Sequence, residues 1–167
     1  SARWTYYKDS DDEVWKFGGY IKVSDGSKQA VGPVSIERSY ETPTDTTTMS
    51  GWRQASSIDV AFTGTGIPAK TATFARSTWV RWSAAFFDKA GEQMQSRLYW
   101  LIPSSGDGAV STNYGKTLYG YDSGGRAIKV VQPGGTITKA VYNAMGWLLS
   151  TSIGTDDGSP GNMVLVQ

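Results

Sequence analysis

The sequence predicts an all-β fold, an antiparallel sheet of successive hairpins, and three observations predict it. A short turn word recurs along the second half of the chain, apolar residues alternate with polar ones between the turns, and the composition is poor in helix-compatible runs. Hydrophobic residues make up 39% and charged residues 19% of the 167 positions, with 20 Gly and 13% aromatics, a mixture that suits strands joined by many turns. Ala-rich stretches are short, so helix is expected only as single turns. A chain of this length is one domain or two small packed units.

Residues 3 to 23 read as a hairpin in which Trp4, Tyr6 and Tyr7 precede an acidic tip at Asp9, Asp11, Asp12 and Glu13, after which Trp15, Phe17, Tyr20, Ile21 and Val23 resume. Asp25-Gly26 marks another turn, and Val34 to Arg38 a short strand. The Thr-rich stretch from Glu41 to Gly51 holds little that is apolar and reads as a loop. Ile58, Val60 and Phe62 alternate with polar or small neighbours as a half-buried strand does, ending at Gly64, Gly66 and Pro68. From Thr78 to Phe87, strand alternation places Trp79 and Arg81 on one face and Val80 and Trp82 on the other. Met94 to Ile102 is expected as one strand, with Leu98, Trp100 and Ile102 opposite Arg97, Tyr99 and Leu101. The segments 127–131, 136–142, 146–153 and 163–167 complete the strands, the last of them an edge without a gatekeeping charge.

The turn word is clearest at Tyr121-Asp122-x-x-Gly125-Arg126 and again 21 residues later at Tyr142-Asn143-x-x-Gly146-Trp147. An aromatic closes the incoming strand, the Asp or Asn caps its own turn, and the Gly takes a positive φ that other residues resist. A weaker copy stands at Phe87-Asp88-Lys89-Ala90-Gly91, separated from Tyr121 by an insertion from Pro103 to Gly115. At these residues the chain resembles the YD-repeat, or RHS-repeat, family, whose core reads Tyr-Asp-x-x-Gly-Arg-Leu. Tyr121, Asp122, Gly125 and Arg126 match that core, with Ala127 in place of Leu; Asn143 and Trp147 replace Asp and Arg in the second copy. Gln132-Pro133-Gly134-Gly135 resembles the turn joining successive repeats.

The resemblance implies a secreted or surface-displayed bacterial protein, non-enzymatic in this region, whose repeat geometry rests on Tyr121, Asp122, Gly125, Arg126, Tyr142, Asn143 and Gly146. It divides the chain into an N-terminal β region at 1–80 without copies of the word and a repeat region at 81–167, packed as one unit, with an N-terminal β-sandwich part as a variant. The expected partners are adjoining repeats or other copies of the chain, with filament or array formation through edge strands.

Composition narrows the chemistry. The 16 basic and 15 acidic residues give a net charge of +1 without a cluster of either sign, so neither nucleic acid nor membrane insertion is expected. Cys and His are both absent, which removes disulfides, zinc thiolates and every mechanism that shuttles a proton through imidazole. No cofactor is implied. Gly124-Gly125 and Gly134-Gly135 lack the lysine and spacing of a phosphate loop and make turns instead.

Three chemistries remain to be weighed against plain architecture. Paired carboxylates for glycoside hydrolysis have candidates in Asp11, Asp12, Glu13, Asp59, Asp88, Glu92, Asp107, Asp122, Asp156 and Asp157, nearly all beside turn residues, where a capping acid is the ordinary explanation. Calcium has acidic turns at Asp9 to Glu13 and at Asp156-Asp157-Gly158, but the EF-hand pattern fails, since Val14 and Tyr20 stand where Gly and Glu are required. Sugar binding has aromatic platforms among seven Trp and nine Tyr: Trp79 with Arg81 first, then Trp4, Trp15 and Trp52, with Trp82 and Trp100 as further rings. Against it stands the use of the same rings to fill a thin β core.

Overall fold

In the computed structural model the chain is described at residues 4–8, 13–17, 20–22, 28–30, 34–41, 49, 51–61 and 73–167, with side chains from 49 onward. Among the described residues thirteen strands run β1 (Trp4–Lys8), β2 (Glu13–Phe17), β3 (Tyr20–Lys22), β4 (Lys28–Ala30), β5 (Val34–Glu41), β6 (Arg53–Val60), β7 (Trp79–Phe87), β8 (Gln93–Tyr99), β9 (Tyr114–Tyr121), β10 (Ala127–Val131), β11 (Ile137–Tyr142), β12 (Leu148–Gly154) and β13 (Val164–Leu165). Eleven of them form a single antiparallel sheet in the order β1-β2-β5-β6-β7-β8-β9-β10-β11-β12-β13, and β3 pairs with β4 as a separate hairpin. The fold is therefore all-β, an open meander of hairpins, and the only helical turn among the described residues is a 3₁₀ turn at Arg76–Thr78.

The first hairpin pairs as its alternation requires, Trp4 opposite Phe17 through Lys8 opposite Glu13. β1, β2 and β5 extend the main sheet at one edge, while β3 and β4 pair apart from it. Position 80 falls inside β7, and the sheet is continuous across it. The acidic tip at Asp9, Asp11 and Asp12, the Asp25-Gly26 turn, and Phe62 through Pro68 lie outside the described residues.

Along the middle of the sheet one face is buried and the other open. Gln54, Ser56, Ile58 and Val60 of β6, Trp82, Ala84 and Phe86 of β7, and Gln95, Arg97 and Tyr99 of β8 are all buried, each two residues from the next, as a two-residue side-chain period dictates. Met49 and Trp52 pack over Ala84 and Phe86. Trp82 stacks on Tyr99 with ring centroids 3.8 Å apart and planes at 10°, and Tyr99 lies 4.9 Å from Tyr114, so one aromatic row crosses β7, β8 and β9. Removing an unbranched core ring such as Phe86 typically costs about 3–5 kcal/mol.

Two elements depart from the alternation. Val60 pairs with Trp79 while Asp59 pairs with Arg81, so Val80 is an extra residue on β7, a β-bulge. The insertion of one residue moves Trp79 to the face of Trp82, whose ring it meets edge-on at 5.4 Å. Trp79 and Arg81 consequently lie on opposite faces, contrary to the alternation expected from the sequence. β8 stops at Tyr99, because the backbone amides of both Trp100 and Leu101 turn to the carbonyl of Asn113 at 3.0 and 3.1 Å. Trp100 to Asn113 thus forms a folded insertion, not the end of a strand.

Candidate functional site: a ladder of turns

Three hairpin turns line one end of the sheet, and the same residues do the same work in each. Asp88, Asp122 and Asn143 donate their own amide to the carbonyl four residues on, at Glu92, Arg126 and Trp147, and their carbonyls accept from Gly91, Gly125 and Gly146, all at 2.9 to 3.2 Å. Those glycines have φ of +88°, +76° and +84°, a conformation that costs a residue with a Cβ about 1–2 kcal/mol. The side-chain oxygen of each Asp or Asn accepts two further amides: Ala90 and Glu92 for Asp88, Gly124 and Arg126 for Asp122, Met145 and Trp147 for Asn143. Asn performs the cap as well as Asp, since only one oxygen is used. The turn at Gln132 to Gly135 keeps the backbone bonds and φ of +85°, but it lies at the other end of the sheet.

The three turns also share a bulge. Phe87 pairs with Gln93, Tyr121 with Ala127 and Tyr142 with Leu148, and in each hairpin the next pair skips a residue, leaving Met94, Ile128 and Leu149 as the extra positions. The Gln132 hairpin pairs without such a shift. By this register the Phe87 copy, the weakest in sequence, is the structural equal of the other two.

Side chains then join the turns laterally. The Tyr121 hydroxyl donates to the Gln93 carbonyl of the preceding hairpin at 2.9 Å. Arg126 pairs through Nε with Asp122 at 2.7 Å and donates from Nη1 to the Asn143 carbonyl of the following turn at 3.1 Å, its guanidinium 5.3 Å from the Tyr142 ring. The residue after each glycine leans over the glycine of the next turn: a Cβ on Gly125 would stand 3.3 Å from the Glu92 carboxylate, and one on Gly146 would stand 3.4 Å from Arg126 Nη1. Trp147 occupies this same position in the last turn and is 67% exposed. Backbone and Arg126 hydrogen bonds hold the Asp122 carboxyl below the usual carboxylate range, while burial, assisted by Glu92, pushes the Tyr121 hydroxyl up.

Asp107, Asp156 and Asp157 are likewise engaged. Asp107 pairs with Arg97 at 3.0 Å, and that guanidinium, only 4% exposed, lies 4.5 Å from the Phe86 ring and 4.7 Å from the Tyr114 ring. With its amide oxygen turned inward, Gln95 accepts from Arg97 Nε at 2.7 Å. Asp157 sits between Lys129 and Lys139 at 2.7 and 3.3 Å, neutralising two lysines that stand directly opposite across β10 and β11. The Lys129 hydrogen bond is foremost in lowering its carboxyl pKa. Asp156 accepts the Gly158 amide, so the acidic turn considered for calcium has one carboxylate capping backbone and the other ion-paired. Among the described residues no group of three or more acids is arranged to hold a metal ion.

The aromatic candidates separate by burial. Trp79 is half-buried with Arg76 lying over its ring at 4.2 Å and over Trp82 at 4.7 Å, so the face expected to receive a sugar carries a guanidinium. Trp52 packs on the Met49 cluster. Trp4 and Trp15 occupy register positions in β1 and β2 opposite Phe17 and Tyr6, and their side chains lie outside the described residues. Trp100, by contrast, is 61% exposed. Its fixed position could not be read from alternation, because the bonds that hold it come from the insertion.

The fold and the ladder define a class, an open antiparallel meander whose hairpins are clamped to one another through repeated turns. The chain matches no protein-family model and no curated protein.

Proposed function

We propose that this chain is a non-enzymatic structural segment of a secreted or cell-surface bacterial protein of the YD-repeat kind, whose task is to extend a β scaffold and to associate through its sheet edges. The observation that carries the reading is the lateral clamp: Tyr121 reaches back to Gln93 and Arg126 reaches forward to Asn143, so the Tyr121 hairpin is bonded at its turn both to the one before and to the one after. A clamp of this form is open-ended. At the outer hairpin Met145, Trp147 and Leu149 are exposed, and Val164 and Leu165 of β13, with Val166 after them, are exposed as well. Such an apolar edge with unpaired backbone groups is what strand addition uses.

Adjoining repeats fit this edge first, with copies of the chain as the second occupant. The test appends one further Tyr-Asp-x-x-Gly-Arg hairpin after Gln167. Thermal unfolding should rise by several degrees, the shift expected of a gain of about 1–2 kcal/mol in a domain of this size, and Trp147 fluorescence should move to shorter wavelength. Sedimentation velocity on the unextended chain should show association that Leu165→Lys suppresses. An extended chain without added stability, together with a monomer at every concentration, overturns the proposal.

A further inference from the structure

We infer that Trp100 is a fixed stacking platform for a pyranose ring of a polysaccharide, on the open face of the sheet and apart from the turn ladder. The indole is held at its edge, at its back and at its backbone. Nε1 donates to the Thr112 carbonyl at 2.9 Å, and the backbone amide donates to Asn113 at 3.0 Å. A Cβ on Gly115 would stand 3.1 Å from Trp100 Cζ3 and 3.0 Å from Pro133, so the ring rests where a side chain is missing, beside the turn that follows β10.

The Nε1 hydrogen bond and the seat on Gly115 hold the ring itself, yet it is 61% exposed. Exposing a large ring forgoes the usual gain from burial. The insertion from Trp100 to Asn113 thus spends its own hydrogen bonds on keeping an aromatic plane facing outward; the Asn113 side-chain amide donates to the Leu101 carbonyl at 2.9 Å and its oxygen accepts from Ala109 at 2.9 Å.

The surroundings point to a saccharide. On this face Leu98 pairs with Gly115 on one side and with Ser83 on the other, Ser96 pairs with Thr117, and Arg81, two residues along β7 from Ser83, pairs with Asp59. The same face of the sheet therefore carries, together with this planar apolar surface, a cation, a carboxylate and the hydroxyls of Ser57, Ser83, Ser96 and Thr117. Sugars present an apolar C–H face ringed by hydroxyls, which stacks on an indole while hydroxyls bond to charged and polar neighbours. A protein partner needs roughly 1,000 Å² of complementary surface, whereas one pyranose needs only the ring and its rim.

The experiment is retention of the whole chain on insoluble cellulose, chitin, xylan and mannan, with affinity electrophoresis in soluble β-glucan. At least one polysaccharide should retain the chain, Trp100→Ala should weaken retention at least about tenfold, the usual loss for a central aromatic anchor, and Trp147→Ala should leave it unchanged. Trp100→Tyr, which keeps a ring, should retain part of the binding, and Gly115→Ala, which displaces the ring without removing it, should weaken it. Melting curves of Trp100→Tyr and Gly115→Ala keep the test readable if Trp100→Ala fails to fold. No retention on any polysaccharide, retention indifferent to Trp100, or a change in association state in its place would overturn the inference; the turn ladder is untouched by any of these outcomes.

Discussion

Arg126 Nη1 donates to the backbone carbonyl of Asn143 at 3.1 Å, carrying a hydrogen bond from one hairpin turn to the next across 17 residues of sequence. The bond is charge-assisted and its donor is already oriented by Asp122, so little side-chain freedom is lost in making it.

Replacing Arg126 by Ala should destabilise the chain by about 1 kcal/mol, a modest figure because the side chain is partly exposed. Arg126→Lys should recover little of it, since an ammonium on a flexible stem does not satisfy Asp122 and the Asn143 carbonyl together. Urea unfolding of both variants checks this, and equal stability of Lys variant and wild type would show that charge alone is at work.

Gly135→Ala isolates the backbone contribution of a turn, because nothing lies within 4 Å of the added Cβ and φ is +85°. The expected cost is about 1–2 kcal/mol from conformation alone, with Gly135→Asn costing less because Asn tolerates the left-handed region. Chemical denaturation should show the difference with an unchanged m-value.

Asp107→Ala should cost about 3 kcal/mol or more by leaving the buried Arg97 guanidinium without its carboxylate. The double change with Arg97→Met should be markedly more stable than Asp107→Ala alone, because a flexible apolar side chain can fill the space between Phe86 and Tyr114 without a charge to desolvate. A double change no more stable than the single one would place the value of Arg97 in its hydrogen bonds.

Stability should fall at both ends of the pH scale for opposite reasons. Asp122 and Asp157 have carboxyl pKa values lowered by hydrogen bonds to Arg126 and to Lys129, so their contribution is present above the unfolded value of about 4 and disappears as pH falls through the folded values. Asp122→Asn and Asp157→Asn should each flatten that acid slope. Burial pushes the Tyr99 hydroxyl up to about 12, so its protonated form stabilises the fold fully below the unfolded value of about 10, and the contribution is lost between the two. Tyr99→Phe should remove the alkaline loss, as read from urea midpoints across pH, at little cost because the hydroxyl is buried without a hydrogen-bond partner.

The hairpins were legible in the sequence because their information is local. Asp122, Gly125 and Arg126 bond to one another within five positions, so spacing alone specifies the turn, and Asn143 with Gly146 repeats it. The strand through Ile58 and Val60 follows from alternation in the same way. Parity is fragile, however: the single extra residue at Val80 transferred Trp79 to the buried face, and nothing in the string TWVRW marks where a bulge falls. The identical bulges at Met94, Ile128 and Leu149 were hidden likewise, although they follow each turn at a constant offset.

By itself, then, the sequence determined the class of the fold, the positions of the turns and the residues that cap them, since these depend on hydrogen bonds closed over a few residues and on glycines that accept positive φ. Tertiary structure alone decided which rings are covered and which acids are paired. Arg76 over Trp79, Arg97 with Asp107, Asp157 between Lys129 and Lys139, and Trp100 propped on Gly115 each bring together residues from separate elements, and burial depends on what the sheet lays against a face, which no local pattern encodes.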